Sequence, residues 1–270
     1  MTDLRAVLDA GLAVVTRDFK LALSYRLQFI AQLLTAFFSL TLFYYISRLV
    51  QVGTFESPDA YYAFVVVGLI SLQVLNSTLQ TPPGSVRQQL VAGTFERIVL
   101  SPFGAVAGVG SILIFPFVYA LTTGVAMLGF ASLVFDVPVE WSTAPLVIPL
   151  AVLGALSFAP FGLLLLSVVL VVKQALGGAT FIVAGISLIA GLYFPVTLLP
   201  DWIEWASDVQ PFTPALDLMR NVLVGTPLQE SAWLGIAKLA GFAAVLLPIS
   251  VLALRAGVYA GRKRGTIIEY

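Results

Sequence analysis

The 270-residue sequence predicts an all-α integral membrane protein built on six transmembrane helices. An amphipathic interfacial helix is expected before the first span, a charged cytoplasmic helix between the second and third, and extracellular re-entrant or interfacial helices before the last. Three observations carry this reading. Only 10% of the residues are charged, 59% are hydrophobic and the mean hydropathy is +1.00, whereas a soluble domain is about a quarter charged. Apolar runs of about 20 residues recur, the length a helix needs to cross the hydrocarbon core. They are continuous rather than alternating at period two, which argues against a β-barrel. The third observation is that the cations fall on one side of the implied topology.

Residues 3–24 place Leu4, Leu8, Leu12, Val15 and Phe19 in one narrow arc at 100° per residue, opposite Arg5, Asp9, Thr16, Arg17 and Lys20. That pattern suits a helix lying in the membrane interface, within an N-terminal segment 1–26 that is charged throughout and lacks the apolar centre of a cleavable signal. The spans follow at about 27–47, 61–81, 104–134, 145–172, 177–199 and 233–255. The third and fourth exceed the minimum length and contain Pro116 and Pro160, so tilting or bending is expected. The fourth and fifth are joined only by Lys173–Leu176, which predicts antiparallel neighbours.

With the N-terminus inside, the inner segments hold Arg5, Arg17, Lys20, Arg26, Arg87, Arg97, Lys173, Arg255, Arg262, Lys263 and Arg264. The outer ones hold Arg48, Arg220 and Lys238. Eleven cations against three satisfy the positive-inside rule. The protein is therefore expected in the cell membrane, multi-pass, with both termini cytoplasmic.

Much chemistry is excluded. The chain has no cysteine and no histidine, which removes disulfides, thiol chemistry, the commonest metal ligand and the commonest general base. The expected span interiors hold no Asp or Glu, and Lys238 sits near the outer end of the last span, where it can snorkel. A membrane-embedded lipid-modifying enzyme, the first alternative to be weighed, would need an acid–base or metal constellation; a proton-coupled carrier would want a buried carboxylate. A non-transporting membrane scaffold is the second alternative. No phosphate-binding loop is present: "GAVAGVGS" at 104–111 lacks the Lys-Ser/Thr ending, and its Gly104–Gly108 spacing suits close helix contact. No catalytic, cofactor-binding or metal site is expected, and no nucleic-acid partner.

Polar residues form stripes in the spans. Gln28, Gln32, Thr35 and Ser39 recur at helical spacing in the first, and Gln73, Asn76, Ser77 and Gln80 in the second. Such groups avoid lipid, so they are candidates for helix contacts or for a hydrated pathway. In the fifth span Thr180, Ala184, Ser187 and Gly191 make a small-residue face suited to tight packing, against a second copy among other partners.

Two segments outside the spans are the most informative. In "TPPGSVRQQLVAGTFERIVLSP" (81–102), Pro82 and Pro83 should end the second span. A short helix should follow with Val91, Phe95 and Ile98 on one face and Arg87, Glu96 and Arg97 away from it. A charged helix tied at both ends to spans suits the transmission of force from a cytoplasmic partner, with a passive interfacial loop as the plainer reading. In "YFPVTLLPDWIEWASDVQPFTP" (193–214), Pro195 and Pro200 should break the helix near the membrane exit. Trp202 and Trp205 favour the headgroup zone, and Asp201, Glu204 and Asp208 share one face. Together with "ALDLMRNVLVG" this predicts short helices at, or re-entering, the outer leaflet.

These motifs carry a resemblance. "GTFERIVLSP" resembles the Gly-Thr-x-Glu…(Ser/Thr)-Pro element of the type-2 ABC export permeases. "GLYFPVTLLPDWIEWASDVQPFTPALDLMRNVLVG" is similar to their signature between the fifth and sixth spans, and "GRKRGTIIEY" to the basic C-terminus of the drug-resistance branch. The resemblance spans nearly the whole chain. It implies one permease domain over 1–270, with an interfacial helix at 1–26, a coupling segment at 82–102 and an outer segment at 195–230. It further implies pairing with a second permease copy, as a homodimer or heterodimer, and docking on a separate ABC ATPase subunit that holds the ATP and Mg. Exported substrates in the family include amphipathic drugs, lipids, lipid-linked glycans and polysaccharides. By position Gly93, Thr94, Glu96 and Arg97 match the coupling element, and Pro195, Pro200, Pro211, Pro214 and Arg220 the outer signature.

Overall fold

A computed structural model describes residues 16, 19–20, 26–49, 54–95, 104–172 and 176–263. The regular structure among them is helical. α1 is Arg26–Leu49, α2 Pro58–Leu79, α3 Thr81–Val91 and α4 Gly104–Phe135. A 3-10 turn at Ala144–Leu146 leads into α5, Val147–Val172. α6 is Leu176–Ile189; after a second 3-10 turn at Val196–Leu198 come α7, Asp201–Val209, α8, Phe212–Val224, and α9, Ala232–Lys263. The amphipathic helix expected near the N-terminus lies outside the described residues except at Thr16, Phe19 and Lys20, which are helical and exposed.

Among the described residues 5 helical stretches are long and apolar enough to cross a membrane. The fifth expected span, 177–199, is corrected at its outer end, because the helix stops at Ile189. α6 has 14 residues, about 21 Å at 1.5 Å per residue, against a hydrocarbon core of about 30 Å. Neither Pro195 nor Pro200 stops it. Gly191 does, in a left-handed conformation (φ +73°). Its amide donates to Leu188 O at 3.3 Å and the Leu192 amide to Ser187 O at 3.1 Å, the paired bonds that close a helix on a glycine.

The second span also departs from expectation. The span helix does end at Leu79, just ahead of Pro82 and Pro83, but the chain stays helical: both prolines occupy the first turn of α3, where a missing amide costs little. Gln80 between the two helices keeps right-handed helical angles. Its amide donates to Asn76 O at 3.0 Å, and the Gly84 amide donates to Gln80 O at 3.3 Å. The result is a helical stretch of 34 residues, Pro58–Val91, about 50 Å long. It is the centre of the bundle: α2 packs on α1, α4, α5 and α8 and is buried along most of its length.

Around it, Phe37 stacks on Phe130 at 4.3 Å and Tyr44 on Phe135 at 4.4 Å. At the α3 end Val86, Leu90 and Phe95 join Ile112, Leu166 and Leu254 in a second cluster. At the opposite end Ala215, Leu218 and Leu239 form a third. α5 and α6 are not the close neighbours their short connection predicted: α5 runs along α9, and α6 packs on α2 and α7. The α5–α9 contact is close because Gly257 faces Ser167, 3.1 Å from where a Cβ would sit, and the Ser157 hydroxyl donates to Leu239 O at 2.8 Å. Leu34, Phe38, Leu42 and Tyr45 line the exposed side of α1 at helical spacing, as a lipid- or protein-facing stripe does.

Candidate functional site

Two places hold the residues singled out from the sequence, one at each end of the long α2–α3 stretch. At the α3 end the helix closes on Gly93 (φ +65°). The Gly93 amide donates to Leu90 O at 3.1 Å and the Thr94 amide to Gln89 O at 2.9 Å, the same closure as at Gly191. The Thr94 hydroxyl adds a bond to Gln89 O at 3.3 Å. This turn sends Phe95 back into the core, where it is fully buried. The apolar face therefore differs from Val91, Phe95 and Ile98: Val91 is 65% exposed, while Val86 and Leu90 are buried beside Phe95. An uninterrupted helix would have aligned Val91 with Phe95, but the glycine interrupts it. Arg87 is exposed. Glu96, Arg97 and Ile98 lie outside the described residues.

At the other end α7 and α8 form a hairpin. Its tip is buried: Gln210 Nε2 donates to Ile186 O at 3.4 Å, and Phe212 meets Phe158 edge-on at 5.5 Å. Phe158 is 11 residues into α5, so the tip reaches about 17 Å below the start of that helix. α8 then runs outward between α2, α5 and α9. Ala215 Cβ is 3.7 Å from where Gly154 would carry a methyl, and Leu223 O accepts from the Glu140 amide at 2.8 Å. Pro211 precedes α8 and Pro214 lies in its first turn; Pro200 precedes α7 and Pro195 the 3-10 turn.

α7 divides its circumference in three. Ser207 is buried toward the bundle. Asp201, Glu204 and Asp208 form one exposed stripe, and Trp202, Trp205 and Val209 another, about 100° away at helical spacing. Trp202 is 74% and Trp205 63% exposed. Trp141 and Trp233 are exposed at the same end, giving the belt that indoles form where apolar meets aqueous. Beside the hairpin Lys238 pairs with Glu230 at 2.6 Å. Burial raises the Asp217 carboxyl above its ordinary range, opposed by the Gln229 amide, which it accepts at 3.1 Å.

Arg220 is the residue whose setting sequence reading missed most. The sequence assigns it only to an outer segment; in the structure it is buried. Nη2 donates to Gly191 O at 2.9 Å and Leu192 O at 3.0 Å, and Nε to Phe64 O at 3.3 Å. The guanidinium carbon lies 3.3 Å from the Phe64 ring centroid. The available signal was its spacing: Phe212, Leu216, Met219, Arg220 and Leu223 share one face of α8, and all are buried.

Among the described residues the polar stripes make separate contacts. Gln32 Oε1 accepts from Tyr119 of α4 at 2.5 Å, and Gln73 Nε2 approaches Met127 Sδ at 4.0 Å. Gln80 bonds Asn76 within its own stretch at 2.9 Å, and the Thr35 hydroxyl turns back to Ala31 O at 2.8 Å. The side chain of Gln28 lies outside the described residues. On α6, Ser187 and Gly191 are buried, but Thr180 and Ala184 are exposed, so only half of the small-residue face is packed.

Residues 37–252 match the family described as ABC-2 family transporter protein. The chain is also 23% identical over 203 residues to Nodulation protein J of Rhizobium meliloti (strain 1021), covering 73% of this chain and 74% of that protein. The family match takes in the α2–α3 stretch, the Gly93 turn and the whole α7–α8 hairpin. With its several membrane-length apolar helices, the chain belongs to the ABC-2 transporter family, as a multi-pass membrane permease subunit.

Proposed function

We propose that this permease is the membrane half of an ATP-driven exporter. A separate ABC ATPase subunit holds ATP and Mg, and two permease copies pair in the cell membrane. The cargo is an amphipathic molecule, a drug, a lipid or a lipid-linked glycan, taken from the cytoplasm or inner leaflet. The observation that carries the reading is the Pro58–Val91 helical stretch, which ends in the Gly93 turn at one end of the bundle and holds α8 at the other. The excess of cations in the segments assigned inside supports a cytoplasmic α3, as the positive-inside rule requires. Arg87, Gly93, Thr94, Glu96 and Arg97 then form the docking element: Gly93 and Thr94 shape the turn, and the charged side chains meet the ATPase.

The exposed Thr180–Ala184 side of α6 supports a packed contact with the second copy. The polar groups shared between α1, α2 and α4 support a cargo with both polar and apolar parts.

The test is coexpression with an ABC ATPase subunit and reconstitution in proteoliposomes. The complex should hydrolyse ATP and move a fluorescent amphiphile, and the permease alone should do neither. Glu96→Ala and Arg97→Ala should weaken ATPase binding while insertion into the membrane is retained. ATP turnover by the isolated permease, or normal ATPase affinity in both variants, would refute the reading.

A further inference from the structure

The hairpin carries a cation into the interior of the bundle. Among the described residues no carboxylate lies within salt-bridge distance of Arg220. Its charge is met by backbone carbonyls of two other elements and by an aromatic face: Gly191 and Leu192 at the closed end of α6, and Phe64 of α2 through both its carbonyl and its ring. Arg220 thus approaches the C-terminal end of α6, where the last turn carries partial negative charge. A guanidinium suits this place because its planar fork spaces several donors and can stack on a ring while charged.

The pocket is built by glycine. Gly191 closes α6 in a left-handed turn, and its own carbonyl and that of Leu192, just past the helix, accept from Arg220. Gly68, one turn after Phe64 on α2, lets Leu192 approach: a Cβ there would lie 2.6 Å from Leu192 O and 3.4 Å from Arg220 Nη2. Three elements therefore meet at one side chain. One of them, α2, continues through Gln80 into α3, which packs on α4 and α5 and whose Val86 and Leu90 are buried in the cluster there.

We propose that Arg220 is a positioning residue that latches α8 and the end of α6 to the α2–α3 stretch. A displacement imposed at α3 is thereby delivered to the hairpin at the far end of the bundle. The use of that linkage, from ATPase to substrate exit, rests on the export function proposed above; the linkage itself does not. A buried ionisable group in a membrane bundle is costly and seldom idle, and coupling between two sites is reciprocal.

The test is a mutant cycle read by hydrogen–deuterium exchange of the full chain in lipid nanodiscs, without ATP or cargo. Leu90→Ala loosens the seat of α3. In the Arg220 protein it should raise exchange severalfold in residues 212–224 and 190–200. Arg220→Lys keeps the charge but cannot span the carbonyls of both elements. In that background the Leu90→Ala increment at 212–224 should vanish, and Arg220→Lys alone should raise exchange in α3.

Equal increments in both backgrounds would show that the sites are independent and overturn the latch, as would an α8 that does not respond to Leu90→Ala. If Arg220→Lys does not fold, Phe64→Leu, which removes the ring and leaves the carbonyl, completes the same cycle with the same two outcomes. Loss of transport in reconstitution with the cycle intact would refute the export reading and leave the latch standing.

Discussion

Gly162→Ala tests how α2 and α5 are held together. A methyl on Gly162 would fall on the Thr78 carbonyl oxygen, well under the 3.0 Å that real Cβ atoms respect. It would also lie 3.2 Å from the Thr78 carbonyl carbon and 3.4 Å from Leu79 Cα. These are backbone atoms, so no side chain can swing aside. The Thr78 and Leu79 carbonyls are where the amides of residues 82 and 83 would bond in an unbroken helix, and both are prolines without a donor. Restoring contacts of about 3.5 Å means parting the helices by roughly 1.5 Å, which forfeits much of the dispersion at the crossing.

Two magnitudes then compete. Alanine gains about 1 kcal/mol of helix propensity over glycine, while overpacking a close crossing costs about 3 kcal/mol or more. The net loss is about 2 kcal/mol or more. Thermal unfolding in detergent, followed by near-UV circular dichroism, should show a clear fall in midpoint. Gly241→Ala is the control, since nothing lies within 4 Å of its added methyl; it should be neutral or slightly stabilising. A Gly162→Ala protein as stable as the parent would refute the crossing geometry.

Gly93→Ala meets no atom within 4 Å, so its cost is the left-handed backbone alone, about 1–2 kcal/mol. Gly93→Asn should recover part of that in the same melting assay, and equal melting of all three proteins would refute the αL closure. In single-Trp variants, Trp202 and Trp205 should be quenched better by lipid-resident quenchers than by aqueous iodide. A cysteine replacing Asp201 in this cysteine-free chain should react with an impermeant reagent from outside. Labelling from the cytoplasmic side alone would reverse the topology.

The parts of this fold that hydropathy registers were legible, and the parts set by close approach were not. α1, α2, α4, α5 and α9 coincide with expected spans because each carries a long apolar run. The fifth expected span stops short of 199 for a specific reason. Leu192 and the mostly apolar residues after it keep the sequence hydrophobic beyond Ile189, while Gly191 has already closed the helix. Composition does not register a left-handed glycine; "GLYFP", a glycine followed four residues later by proline, was the available stop signal. The same event misled the reading of the α3 face, since Val91 and Phe95 are one turn apart only if Gly93 is helical. Asp201, Glu204 and Asp208 were read correctly as one exposed stripe because period alone decides it. Arg220 was counted only as an outer-segment cation, because its charge outweighed its apolar neighbours on α8.

Helices in a bilayer gain little from hiding apolar surface from one another, since lipid is equally apolar; they associate through close packing and satisfied polar groups. That is why glycines and backbone carbonyls organise this bundle. Gly162 admits the Thr78 carbonyl, Gly257 admits Ser167, and Gly68 admits the Leu192 carbonyl. α2 is thus fixed twice, to α5 at Gly162 and to α6 and α8 through Gly68 and Arg220. The first contact is made by shape and the second by a charge with several donors. Loosening the first should lower stability throughout the bundle. Loosening the second, with α2 still seated on α5, should separate the two ends of the molecule while the fold persists.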